Sequence, residues 1–169
     1  MTLLNTLFHS PKDLARNAEK SDEDILAAWK EYYATIAAKK KIISQLPSSF
    51  GQRKQLIQEL QRLLKLELVD VHTIEKKEHE VIADLHSLDH SARIQKVHRL
   101  DDTLCYAETI YKYIYNLLLH LYVTLRQEAV LCKKLAKGNI ELKQFRKLVP
   151  LLQAELQVEL TIIEKMQAR

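Results

Sequence analysis

Residues 110–125 read IYKYIYNLLLHLYVTL, from Ile110 to Leu125, and this stretch decides the fold. It carries one charge, Lys112, and apolar or aromatic residues on nearly every side, the pattern of a helix surrounded by others. A membrane span needs about 20 apolar residues. Lys112 and Arg126 leave only 13 uncharged residues between them, including Asn116 and His120. The stretch therefore reads as a core helix of a water-facing bundle, around which the rest of the chain must pack.

The composition agrees. Two Gly and three Pro in 169 residues provide little turn chemistry, and Leu, Ala, Glu, Lys, Gln and Arg dominate. Few, long elements follow. The fold class is all-α: an elongated up-down bundle of four to five helices, one domain over residues 1–169, built on a long antiparallel hairpin at about 49–137. Cys105 and Cys132 fall on one predicted helix, 27 residues apart. That is about 40 Å of helix, so they do not bridge. Free thiols and an N-terminus without a signal-peptide pattern point to a cytoplasmic setting.

Outward from the central stretch, residues 1–9 form a short apolar arm. Ser10-Pro11-Lys12-Asp13 and Ser21-Asp22-Glu23-Asp24 each resemble a helix start, which predicts a short helix to Lys20 and a second from Ser21. The second carries Ile25, Trp29, Tyr32, Ile36 and Ile43 at helical spacing and stops at Leu46, before Pro47. Ser49 with Gln52 predicts the next start, and a stripe from Leu56 and Leu60 to Leu85 and Leu88 carries that helix to a break at Asp89-His90-Ser91. The following helix runs from about 92 to 137, with Gly138 ending it and Asn139 capping the last. The last helix places Leu142, Phe145, Val149, Leu152, Leu156, Ile163 and Met166 on a 3-4 repeat, broken by Glu159 at one seam position. This seam reads first as core packing and second as a self-association surface. Pro150 should kink or split the helix.

Up-down order brings two corners to one end, which gathers Lys39, Lys40, Lys41, Arg53, Lys54, Lys133, Lys134, Lys137, Lys143, Arg146 and Lys147. The opposite end gathers acids, Asp22, Asp24, Glu75, Glu78 and Asp89 among them. Helix dipoles account for bases at helix C-termini, but not for Arg53, Lys54, Lys143, Arg146 and Lys147, which lie near N-termini. A basic end suits an anionic partner: RNA, an anionic membrane surface or an acidic protein. The function expected is thus a non-enzymatic interaction or adaptor protein, without a cofactor.

Other chemistry is weaker. Glu75, His79, His86 and His90 have helical spacing that offers pairs of metal ligands. However, they flank the apolar stripe, and seven residues separate neighbouring members of His72, His79 and His86 by about 10 Å, so boundary residues are the better reading. Glu67 and Glu78 project to the middle of an apolar stripe. They either pair with a base from another helix or lie where the helix emerges into water; the length of that helix favours water. Arg93-Ile94-Gln95-Lys96-Val97-His98 resembles the Arg-x4-6-His motif of HEPN-domain ribonucleases, small all-α bundles that dimerise to cleave RNA. The resemblance covers six residues and implies His98 in acid–base work and Arg93 on the scissile phosphate. It makes an RNA-directed protein the second functional reading.

Overall fold

The computed structural model describes the backbone of residues 11–94 and 100–167, and the side chains of 23–80, 83 and 112–167. The chain is all-α. The helices are α1 (Pro11–Gln45), α2 (Arg53–Ile94), α3 (Leu100–Leu135) and α4 (Leu142–Gln167), with 3-10 turns at Leu46–Ser48 and Phe50–Gln52. No strand occurs among the described residues. None of these helices is long and apolar enough to cross a membrane. The arm at residues 1–9 lies outside the described residues.

Several boundaries differ from those read in the sequence. Ser21-Asp22-Glu23-Asp24 does not begin a helix; α1 runs straight through it. Likewise α2 continues through Asp89-His90-Ser91 to Ile94. Neither tetrad nor triad contains Gly or Pro, and the propensity loss at Ser, Asp and His is a few tenths of a kcal/mol each, roughly. Ser49 does not cap α2. Its hydroxyl donates backward to the Gln45 carbonyl at 2.7 Å, and the helix opens only at Arg53. Nor does Asn139 cap α4, which begins at Leu142 with the Phe145 amide donating to the Glu141 carbonyl at 3.0 Å. α3 is shorter than residues 92–137 at both ends. Pro150 does not split α4; it sits exposed within a continuous helix.

The central stretch is also corrected. It is not enclosed on all sides. Ile114, Leu117, Leu118, Leu121 and Leu125 are buried, whereas Tyr113, Leu119 and Val123 are 49%, 43% and 59% exposed. It forms one wall of the bundle, with an apolar outer face.

The chain divides into two compact units. The first comprises residues 1–29 and 72–116, the second residues 30–71 and 117–169. In the first, Lys77 pairs with Asp24 at 3.5 Å and with Glu80 at 3.1 Å. In the second, segments of all four helices meet. Tyr32, Ile36 and Ile43 of α1, Ile57, Leu60 and Leu64 of α2, Leu118, Leu121 and Leu125 of α3, and Phe145, Val149, Leu152 and Leu156 of α4 are buried. The α4 seam thus faces this core. The Phe50 ring packs edge-on against Phe145 with centroids 5.2 Å apart, and Leu46–Ser48 touches α4. The 45–53 corner is thereby closed against the start of α4.

Candidate functional site

Within the apolar core of the second unit lies a cluster of charge. Lys39 of α1 is fully buried, and its ammonium donates to Glu67 Oε2 of α2 at 2.8 Å, to Glu128 Oε2 of α3 at 2.6 Å and to Glu159 Oε2 of α4. An ammonium has three N–H donors. Here each goes to a carboxylate on a different helix. The Tyr32 hydroxyl, two turns before Lys39 on the same face, donates to Glu159 Oε1 at 2.5 Å.

Helical periodicity places these groups in one layer. The buried seam of α1 runs 25, 29, 32, 36, 39 and 43 and continues to Leu46 in the following turn, with Ala28 beside it, and that of α4 runs 145, 149, 152, 156, 159, 163 and 166, with Ile162 beside it. Both are alternating steps of four and three, a coiled-coil seam. On α2 the seam passes through 60, 64, 67, 71 and 74, and on α3 through 118, 121, 125, 128, 132 and 135. Within the second unit each helix interrupts its own seam with one charged residue, and the four interruptions meet; Glu78, further along the α2 seam, is a separate buried acid. A polar residue at a seam position fixes register, because any slip strands it against an apolar neighbour.

The electrostatics follow from burial. Desolvation pushes the Glu67 carboxyl up to about 8, against the opposing pull of Lys39. Desolvation pushes Glu128 up to about 9, again against Lys39 and with help from Glu159. For Lys39, burial disfavours the charge, but Glu159, Glu128 and Glu67 outweigh it and the pKa is raised. Burial, then Glu159, raises the Tyr32 hydroxyl far above its usual range. Cys132, buried one turn beyond Glu128, is pushed up to about 12 by burial and by Glu128, so it stays a thiol. Glu67 Oε1 and Glu128 Oε1 accept no hydrogen bond from Lys39 or Tyr32, and Glu128 lies within hydrogen-bonding reach of the Glu159 carboxyl, which favours a shared proton between them.

Tyr32→Phe should destabilise the protein by about 1–3 kcal/mol in urea melts, because it removes the donor to a buried carboxylate without refilling its place. An unchanged midpoint would mean that the hydroxyl supports nothing.

The sequence-derived candidates are distributed as follows. Lys39 does not belong to the basic end: an apolar seam position carries it inward. Glu67 and Glu78 are not solvated, since both are buried. The neighbouring helices cover α2 at these positions, and Glu67 takes its base from α1. Lys40, Lys41, Lys54, Lys133, Lys134, Lys137, Lys143, Arg146 and Lys147 are exposed. Arg53 is half-buried, its guanidinium 4.2 Å from the Phe50 ring centroid and bonded to the Phe50 carbonyl at 2.9 Å. Lys134, Lys137 and Lys147 line one cleft with Asn139, Glu141 and Gln144. Glu75 and His79 are on α2. The His79 ring meets Tyr115 edge-on at 5.1 Å, while Glu75 lies 3.9 Å from His72. The side chains of His86, His90 and Arg93, and all of His98, lie outside the described residues.

Sequence reasoning missed Glu128 altogether and assigned Lys39 to the wrong environment. The signal was present: both fall on the 3-4 repeats of their own helices. No family model matches the chain, and no curated protein or solved structure is significantly similar to it.

Proposed function

We propose that this protein is a non-enzymatic helical-bundle interaction protein that binds a polyanionic partner through the exposed bases around the 45–53 and 135–142 corners. The observation that carries this reading is the segregation of charge between the two units. Residues 30–71 and 117–169 hold 17 Lys and Arg against 9 Asp and Glu, a net +8, while the remaining residues hold 9 against 13, a net −4. Three of those nine acids, Glu67, Glu128 and Glu159, are spent internally around Lys39. The surface of the second unit is therefore left strongly basic. Helix dipoles do not explain Lys54 and Lys143, which stand in the first turns of α2 and α4 where cations are disfavoured, nor Arg146 and Lys147 in the turn that follows.

The test is fluorescence-anisotropy binding of single-stranded RNA and of vesicles containing anionic lipid, across a salt series. Each base engaged by a polyanion releases a counterion, so affinity should fall steeply with salt. The variant Lys133→Ala/Lys134→Ala/Lys137→Ala should bind at least about tenfold more weakly, with a shallower salt slope. Salt-independent binding, or binding unchanged by the triple substitution, would sink the reading.

A further inference from the structure

We infer that the outward groove between α3 and α4 seats one amphipathic helix of a protein partner, apolar along its stripe and acidic at one end. Within the second unit each of these helices carries a second line of residues on its outer side. On α3 the line is His120, Val123, Gln127, Val130 and Lys134. On α4, followed in the opposite direction, it is Thr161, Val158, Ala154, Leu151 and Lys147. Both lines advance by three, four, three and four residues, the spacing of a coiled-coil seam. They are not the buried seams, since all of these residues are exposed. The two lines face one groove. Val123, Gln127, Ala154 and Val158 border a volume of ≈ 960 Å³, and Lys134 and Lys147 border the cleft between the same helices nearer the 135–142 corner.

Neither line carries Asp, Glu, Lys or Arg from 120 to 130 or from 151 to 161. Two neutral, largely apolar lines at seam spacing form the seat that a further helix fills with its own stripe. From His120 to Lys134 the seat is about 21 Å long, so it takes roughly four turns of helix.

Charge then selects the occupant. At the corner end Lys134, Lys137 and Lys147 line the cleft against Glu141. At the far end Glu155 and Lys165 offset each other. The seat is thus apolar in its middle, balanced at one end and basic at the other. A helix with its carboxylates gathered at one end complements it. A second copy of this chain does not. Its outer lines carry no acid, so a parallel pairing sets lysine on lysine, and an antiparallel pairing sets Lys134 and Lys147 toward Lys165. The inference goes beyond the polyanion reading: it shares Lys134 and Lys137 with it, but the seat itself is apolar, so either can fail without the other.

The probe is a phage-displayed library of helices of about 18 residues, long enough to fill the seat. It varies Ala, Val, Ile and Leu at 3-4 positions and Gln, Asp, Glu, Lys and Arg elsewhere, and is panned on the full chain. Enriched helices should gather Asp and Glu at one end, and should bind Val123→Gln/Val158→Gln at least about tenfold more weakly than the parent. Both positions are exposed, so this variant should keep the parent's urea midpoint. It changes no charge, so RNA and vesicle binding should stay at the parent level, which separates this outcome from that of the lysine variant. A second reading uses the unaltered protein: an enriched helix should shift the NMR methyl signals of Val123, Val130 and Val158 first. A library that enriches nothing, enriched helices without an acidic end, or affinity unchanged in the variant would each overturn the proposal. So would a concentration-dependent dimer in light scattering that the same variant dissolves, because the seat would then belong to a second copy.

Discussion

Lys39→Met is expected to lose at least about 3–5 kcal/mol of unfolding free energy, or to leave no folded protein. The loss is not the strength of three hydrogen bonds. It comes from leaving Glu159 buried with no counter-charge, and Glu67 and Glu128 buried beside it with no ammonium donor. Charges stripped of water and of partners are among the most destabilising features a core can hold. The contrast that isolates this cause removes the whole cluster. Lys39→Met combined with Tyr32→Phe, Glu67→Leu, Glu128→Leu and Glu159→Leu should regain the lost stability, and could exceed the parent by about 1–4 kcal/mol. The four seams would then be apolar throughout, and the layer would no longer specify register. Urea melts followed by circular dichroism measure both variants. A Lys39→Met protein within about 1 kcal/mol of the parent would show that the ammonium is not what holds the carboxylates in the core.

The fold class was legible because helices announce themselves by periodicity, and this chain has few residues able to interrupt one. The same poverty of Gly and Pro misled the reading of boundaries. Ser21-Asp22-Glu23-Asp24 has the composition of a helix start, yet a start signal does not end the helix before it, and α1 passes through. The site was half legible. Glu159 stood out as a break in a clear repeat, and Glu67 as an acid in a leucine stripe. Lys39 was hidden by its neighbours, since Lys39-Lys40-Lys41 looks like a solvated run and only the second and third lysines are solvated. Glu128 was hidden by the apolar excess of α3. Residues 110–125 look buried on every side, so the true seam through Leu121, Leu125, Glu128 and Cys132 did not separate from the outer face carrying Leu119 and Val123. What no single helix could reveal is that the four exceptions coincide. Coincidence belongs to packing, and it appears only when the four repeats are aligned.

Stability of the protein should fall as pH rises from 6 through 8. Glu67 and Glu128 have folded-state values pushed up to about 8 and about 9 from an ordinary 4.5. A group whose folded pKa is raised holds its proton more tightly in the native state. Its contribution is therefore complete below pH 4.5 and is lost as pH climbs through the folded value. For one such group the slope approaches about 1.4 kcal/mol per pH unit inside that window. The other buried groups point the same way. Asp70, raised to about 6 by burial and then by Glu31, adds its loss at lower pH, and Cys132, raised to about 12, adds its own at higher pH. Tyr32 and Lys39 are also raised and act only in strong alkali. Glu59, lowered by its hydrogen bond to Arg62, works in the opposite sense, but that pair is exposed and screened. Between pH 6 and pH 8 the two groups together give an expected loss of about 5 kcal/mol, a fall of roughly 10–20 °C in melting temperature for a chain of this size. Glu67→Gln combined with Glu128→Gln should flatten that profile, because an amide cannot lose the proton whose retention the core demands. A melting temperature that holds steady or climbs from pH 6 to pH 8 in the parent would mean that the carboxyls are already ionised in the folded core.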